Sequence, residues 1–558
     1  MHWLHIEKLK EPFNDAINYK TKGDKEFFST IFLQTNQLKK CLEPPIYYLI
    51  GEKGTGKTAY AVFLANNEID NSRCKLTTMT ETQYKRFIEL KKQGKLSYSD
   101  FANIWRSMLL LIVSQMIISK SKTFYHSFTG KFSKIEKAIS HWNLNALNPE
   151  VESAFEVLVS DELTAKIKNE DIGEAGGSKK SQQTEKISTI KHHLLQTEGI
   201  LKESIEDLKL SKNHVLFIDG IDFRPEGVQY ADYIECIKGL AEAAWQLNTD
   251  FFGNIKDSKG RLKIVLLVRP DVFQRLNLYN SNSRLHDNSI LLDWSTTERD
   301  FDKSYLFEVG GRFFSSQQKT TTTEKDAWEQ YFNGPAESSG IFKRLLKTTF
   351  QKPRDILTFI KIARAHQITG REGNKPSFNS SIISSPKFTK EYSEYLLGEV
   401  KNYASFYMTN ADFALYLKIF QYLDGKSKFS MLEFEDAFQN FAQWIAGEEV
   451  KNKEYLRDSE SLLQFLYEVN VIGYHETAGK DNQDFYHWAY RERTINNLSP
   501  KVKTSGELIL NSGIAKALDI GKQKSSNSAA NPPLRVRTAA PQRRHGKRKG
   551  SHERRKSS

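Results

Sequence analysis

The chain has 558 residues, of which 39% are hydrophobic, 27% charged and 12% aromatic. That balance excludes a disordered chain, a fibrous repeat and a mini-protein, and the length suggests about three to four domains. The net charge of +13 is uneven: residues 521–558 hold twelve Lys/Arg against one Glu, so they carry +11 and the other residues only +2.

Three cysteines, Cys41, Cys74 and Cys236, exclude a disulfide framework and a multi-cysteine metal site. Residues 1–8 contain no apolar signal core. Both features predict a cytoplasmic protein. The longest apolar run, 104–118, contains Arg106. It falls short of the roughly 20 residues a membrane span needs, so it predicts a buried helix and no membrane partner.

In chain order, residues 1–45 read as mixed loop and helix. Residues 46–50 (IYYLI) read as a buried parallel strand. It runs into Gly51-Glu52-Lys53-Gly54-Thr55-Gly56-Lys57-Thr58, and a helix follows to about Ala65. G-x-x-x-x-G-K-[ST] between a strand and a helix is the signature of a loop that cradles phosphates. Its glycines let successive N–H groups turn inward, and the helix N-terminus adds positive potential. Lys57 can reach the β- and γ-phosphates, and the Thr58 hydroxyl can ligate Mg²⁺. ATP and Mg²⁺ are therefore the predicted ligand and metal.

Further buried strands are predicted at 214–218, 263–268 and 289–292, with helices between them. Residues 120–212 read as a helical insertion, with a polar, Gly-containing loop at 171–184. The second strand ends at Asp219, the predicted second Mg²⁺ contact. Asp222 is the candidate that orients or deprotonates the attacking water, with Glu226 as a rival base and a turn or capping aspartate as the plain alternative. Arg269 ends the third strand and can reach a γ-phosphate; its alternative is an ion pair with Asp271 or Asp293. In 352–357 (KPRDIL), Pro353 and Arg354 open a helix that can close over the nucleotide, although proline is also an ordinary helix starter.

Helices over 325–368 predict a helical lid, assigned to 311–385. Helices near 412–422, 431–445 and 459–470, then strands at 471–476 and 484–490, predict a winged-helix domain over 390–520. Residues 521–558 have no aromatic residue and read as a disordered basic tail able to bind nucleic acid, or simply to keep the chain in solution. No His/Cys metal spacing and no G-x-S-x-G elbow occur. The overall prediction is an α/β protein: a P-loop NTPase parallel sheet at 46–310, a helical lid, a winged helix and a basic tail.

At these residues the sequence resembles bacterial AAA ATPases of the STAND or origin-recognition type, over roughly residues 12–370. Asp219, Gly220 and Asp222 are similar to the second motif of the STAND group, Arg269 to its strand-end arginine and Pro353 to its lid proline. The origin-recognition type would instead make Arg354 a second nucleotide sensor. The resemblance implies an ATP-driven switch that acts with a protein partner or by self-association, in groups many of whose members serve antiviral defence. Arg312 is a candidate finger for a neighbouring subunit. The sequence departs from many AAA enzymes in having Gly220, not glutamate, after Asp219. That leaves open a non-hydrolysing scaffold or DNA-binding protein in which ATP is structural.

Overall fold

The computed structural model describes residues 3–79, 84, 88, 101–121, 130–145, 185–478 and 483–520. The predicted tail at 521–558 and much of the predicted insertion, including 171–184, lie outside the described residues.

Five strands form a parallel sheet: β1 (Tyr48–Ile50), β2 (Ser72–Thr78), β3 (Asn213–Asp219), β4 (Leu262–Val268) and β5 (Ser289–Leu291). Their order is β2-β3-β4-β1-β5. The four predicted strands are present, with ends shifted by one or two residues. β2 was not predicted. Its sequence, SRCKLTT, alternates polar and apolar residues because it is an edge strand paired only with β3, so it lacks the continuous apolar run of a strand covered on both faces.

Helix α1 (Lys22–Ile31) precedes the sheet, and α2 (Lys57–Asn66) follows the glycine-rich loop. α3 (Phe101–Ser121) precedes the predicted insertion, whose described helices are α4 (Ser133–Asn145) and α5 (Glu185–Glu206). α3 lies against α6 (Tyr230–Gln246). The Trp105 indole N–H donates to the Cys236 carbonyl at 3.0 Å, and Gly239 has no side chain to hold Phe101 away. α3 is long and apolar enough to cross a membrane, but 83% of that window is buried inside the protein, as expected of a core helix. Arg106, the cation in the middle of its apolar run, pairs with Glu198 of α5 at 3.0 Å.

Helices follow the sheet: α7 (Tyr305–Ser315) comes first, and α8 (Glu324–Tyr331), α9 (Pro335–Thr348) and α10 (Pro353–Thr369) occupy the predicted 325–368. Phe307, Phe314, Trp328 and Phe342 make their shared aromatic core. α11 (Pro386–Ala404) leads to the C-terminal part. There α12 (Asn410–Tyr416), α13 (Met431–Ile445) and α14 (Ser459–Glu468) precede a hairpin of β7 (Ile472–Ala478) and β8 (Gln483–His487). β8 stops at His487 rather than Tyr490, because the chain turns at Trp488 into the short helix α15 (Ala489–Glu492). Two strands missed from sequence, β6 (Lys428–Phe429) and β9 (Glu507–Leu510), complete an antiparallel sheet ordered β6-β9-β7-β8. Both are too short to show a period, and their pairing is long-range.

Candidate functional site

β1 lies between β4 and β5, one strand in from the edge of the sheet. Ligand crevices of open parallel sheets lie outside the carboxyl ends of the strands. Residues 51–56 turn there, and Gly54 and Gly56 take φ of +88° and +97°, a region other residues rarely enter. Three side chains fix the loop through four hydrogen bonds. The Thr55 hydroxyl donates to the Glu52 carbonyl at 2.8 Å, the Trp294 indole donates to the Thr55 carbonyl at 2.8 Å, and the Lys57 ammonium donates to the Gly51 and Glu52 carbonyls at 2.7 and 3.2 Å.

The Thr58 hydroxyl, on the first turn of α2, donates to the Asp219 carboxylate at 2.5 Å. The other Asp219 oxygen accepts from the Gly220 amide at 2.8 Å. Gly220 has φ of +85°, and a Cβ there would strike the Met79 carbonyl, so only glycine lets the chain leave β3 in this direction. Asp222 lies 3.7 Å from the Lys57 ammonium. Burial, and then the neighbouring Asp222, raise the Asp219 carboxyl above the usual carboxylate range; Thr58 and Lys57 act against the rise. Burial lowers the ammonium of Lys57, opposed by the two aspartates, and also that of Lys53. The site thus gathers N–H donors and hard oxygen atoms in low dielectric, where each interaction is worth more than in water.

A cleft of about 280 Å³ opens over the loop. Lys53, Gly54, Gly56, Lys57, Thr58, Asp219 and Asp222 line one end, and Pro353 and Arg354 line the side facing α10. The Arg354 amide lies 3.4 Å from the Gly54 carbonyl, and its guanidinium pairs with Glu399 of α11 at 3.1 Å. Gly51, Glu52 and Thr55 belong to the loop but not to the cleft lining.

The rest of the lining is largely apolar and comes in part from residues before β1. Phe13, Ile17, Tyr19 and Phe32, from before β1, line the cleft together with Trp294 and Leu357. No motif marks these residues; an aromatic-rich stretch just upstream of the loop was the available signal.

Arg269 is placed in the alternative arrangement, away from the cleft. Its guanidinium pairs with Asp271 through two N–H groups, at 3.0 and 2.5 Å, and donates to the Tyr403 carbonyl at 3.3 Å. It also stacks on the Tyr403 ring at 3.7 Å. The Asp271 carboxylate accepts from the Tyr407 hydroxyl as well. Arg312 donates to the Phe32 carbonyl at 3.1 Å and pairs with Glu324 at 3.5 Å, contacts within its own chain.

No protein-family model matches the chain. It is 23% identical over 374 residues to a protein of Escherichia coli strain K12 described as a putative transposon gamma-delta 80.3 kDa protein. The match covers 64% of this chain and 47% of that protein, so the chain spans about half the length of the relative it matches.

Proposed function

We propose that the chain is an ATP-binding, ATP-hydrolysing switch of the P-loop class, organised like the AAA and STAND ATPases, with 390–520 as its winged-helix module. One observation carries the reading: the Thr58 hydroxyl meets the Asp219 carboxylate at 2.5 Å beside a loop of left-handed glycines. Loop amides and Lys57 bind the phosphates. Thr58 and Asp219 fit Mg²⁺, which takes few protein ligands and leaves other positions to water and phosphate oxygens. When bound, the metal supplies neutralising charge at the phosphates. Burial, and then the neighbouring Asp222, raise the Asp219 carboxyl; a cation between Thr58 and Asp219 would oppose that rise. Asp222 orients water, Arg354 and Pro353 face the nucleotide from α10, and the apolar part of the lining takes the base.

The test is thermal melting with and without Mg-ATP. Wild type should gain stability by mass action, and Lys57→Ala should lose that gain. A folded wild-type protein that shows no shift at millimolar Mg-ATP would end this reading. Slow turnover follows from Gly220 after Asp219 and from the Lys57–Asp222 pair. The same features support the second reading, a scaffold in which ATP is bound but not cleaved. Phosphate release separates the two: hydrolysis requires a rate that falls in Asp222→Asn while ATP still binds.

For a partner we propose duplex DNA, held by the +11 segment at 521–558 through phosphate neutralisation. The description of the E. coli relative as a transposon protein is compatible with this.

A further inference from the structure

Glu52 carries a charge on a loop whose neighbours should attract phosphate, and its side chain does not enter the cleft. Its carboxylate is divided between two distant parts of the chain. One oxygen lies 2.7 Å from the Lys352 ammonium, at the residue before α10. The other accepts from a guanidinium nitrogen of Arg493, just after α15. All three side chains are buried, at 6%, 7% and 4% exposure. The remaining donors of Arg493 stay within its own region: one nitrogen donates to the Glu468 carbonyl at the end of α14 at 2.9 Å, and another to the Leu498 carbonyl at 3.3 Å. Arg493 is thus anchored by the C-terminal module and extends one N–H group 441 residues along the sequence to the glycine-rich loop.

We propose that Arg493 is a positioning residue for phosphate binding: acting through Glu52, it makes the docked C-terminal module part of the site that grips ATP. This rests on the ATP-binding reading above. The physical argument is charge. Glu52 alone would set a negative group beside the bound triphosphate. Paired with both Lys352 and Arg493, the cluster is net positive. Withdrawing Arg493 removes that surplus and frees a buried carboxylate to move the loop it sits on. Linkage is reciprocal, so ATP binding strengthens docking of the module by the factor by which docking strengthens ATP binding. Phosphate loss then weakens the module's hold, which is the coupling a switch requires.

The experiment measures Mg-ATP affinity by calorimetry in the full chain for wild type, Arg493→Met, Glu52→Gln and the double variant, with circular dichroism confirming the fold. Arg493→Met should weaken binding about tenfold, within the usual range of coupling between sites. The double variant should bind more tightly than Arg493→Met, because Glu52→Gln removes the buried carboxylate that Arg493→Met leaves short of a partner. Wild-type affinity in a folded Arg493→Met, or a double variant no tighter than Arg493→Met, would overturn the proposal and leave the ATP reading standing. Absence of Mg-ATP binding in wild type would overturn both. If Arg493→Met does not fold, Arg493→Lys decides: it keeps the charge but not the three-way fork, so it should weaken binding by a smaller factor, and unchanged affinity overturns the proposal.

Discussion

Asp219 is a carboxylate held at a cost. Burial and Asp222 both favour its protonated form, and Thr58 and Lys57 only partly compensate. A raised folded-state pKa means that the native state binds the proton more tightly, so this contribution to stability is lost as pH rises through that pKa. Asp219→Asn should therefore stabilise the ligand-free protein at neutral pH by about 1 kcal/mol, as changes that relieve functional strain commonly do, while abolishing the Mg²⁺-dependent gain from ATP. Melting curves with and without Mg-ATP read both effects. His214 acts in the opposite direction of pH. Burial lowers its imidazole to about 4, against the opposing hydrogen bond to the Lys212 carbonyl. Between about 6.5 and 4 the unfolded chain binds a proton that the folded chain refuses, so stability falls on acidification by up to about 3 kcal/mol from this residue. A His214→Gln variant should show a flatter urea-midpoint profile across that range. The grouping of Lys57, Thr58 and Asp219 was legible because the glycine-rich motif fixes residue types at fixed spacing between a strand and a helix. Arg269 shows the limit: a strand-end arginine serves a phosphate or an ion pair equally well, and Asp271 two residues on decides for the pair.

At the scale of elements, the central strands were legible and the marginal ones were not. β3 and β4 are covered on both faces and are nearly continuous apolar runs; β2, β6 and β9 are edge-like or very short and depend on partners far away in sequence. Helix contacts are equally non-local. α3 and α6 approach so closely at Gly239 that a Cβ would meet Phe101 and the Ala102 amide. Gly239→Ala should cost about 1–3 kcal/mol by overpacking. The increment from Mg-ATP should survive, since the contact lies outside the cleft lining; loss of that increment would place this helix pair within the binding site. Lys263 makes the same point about burial. A lysine in a core strand looks like an error in a pattern, yet its ammonium donates to the Cys41, Glu43 and Ile46 carbonyls at 2.7, 2.6 and 3.2 Å. It satisfies backbone groups just before β1 that would otherwise be buried unpaired.

For the whole molecule, charge is the property that composition alone describes. If 521–558 neutralises DNA phosphates, binding should weaken steeply with salt, and deleting those residues should remove most of that slope. Fluorescence anisotropy of labelled duplex DNA at several salt concentrations measures it. An unchanged slope in the deletion variant would move any DNA contact to residues 1–520. By itself the sequence determined the α/β class, the glycine-rich stretch at 51–58, the acid ending the strand at 219, helices over 325–368 and the basic charge of 521–558, because each is written in local pattern, spacing or charge. Only the tertiary structure decided that Phe13, Tyr19 and Phe32 close the cleft, that Arg269 is committed to Asp271, and that Glu52 joins Lys352 to Arg493. Those outcomes depend on which distant segments share a buried space, and a carboxylate in low dielectric takes whichever cations the fold brings to it.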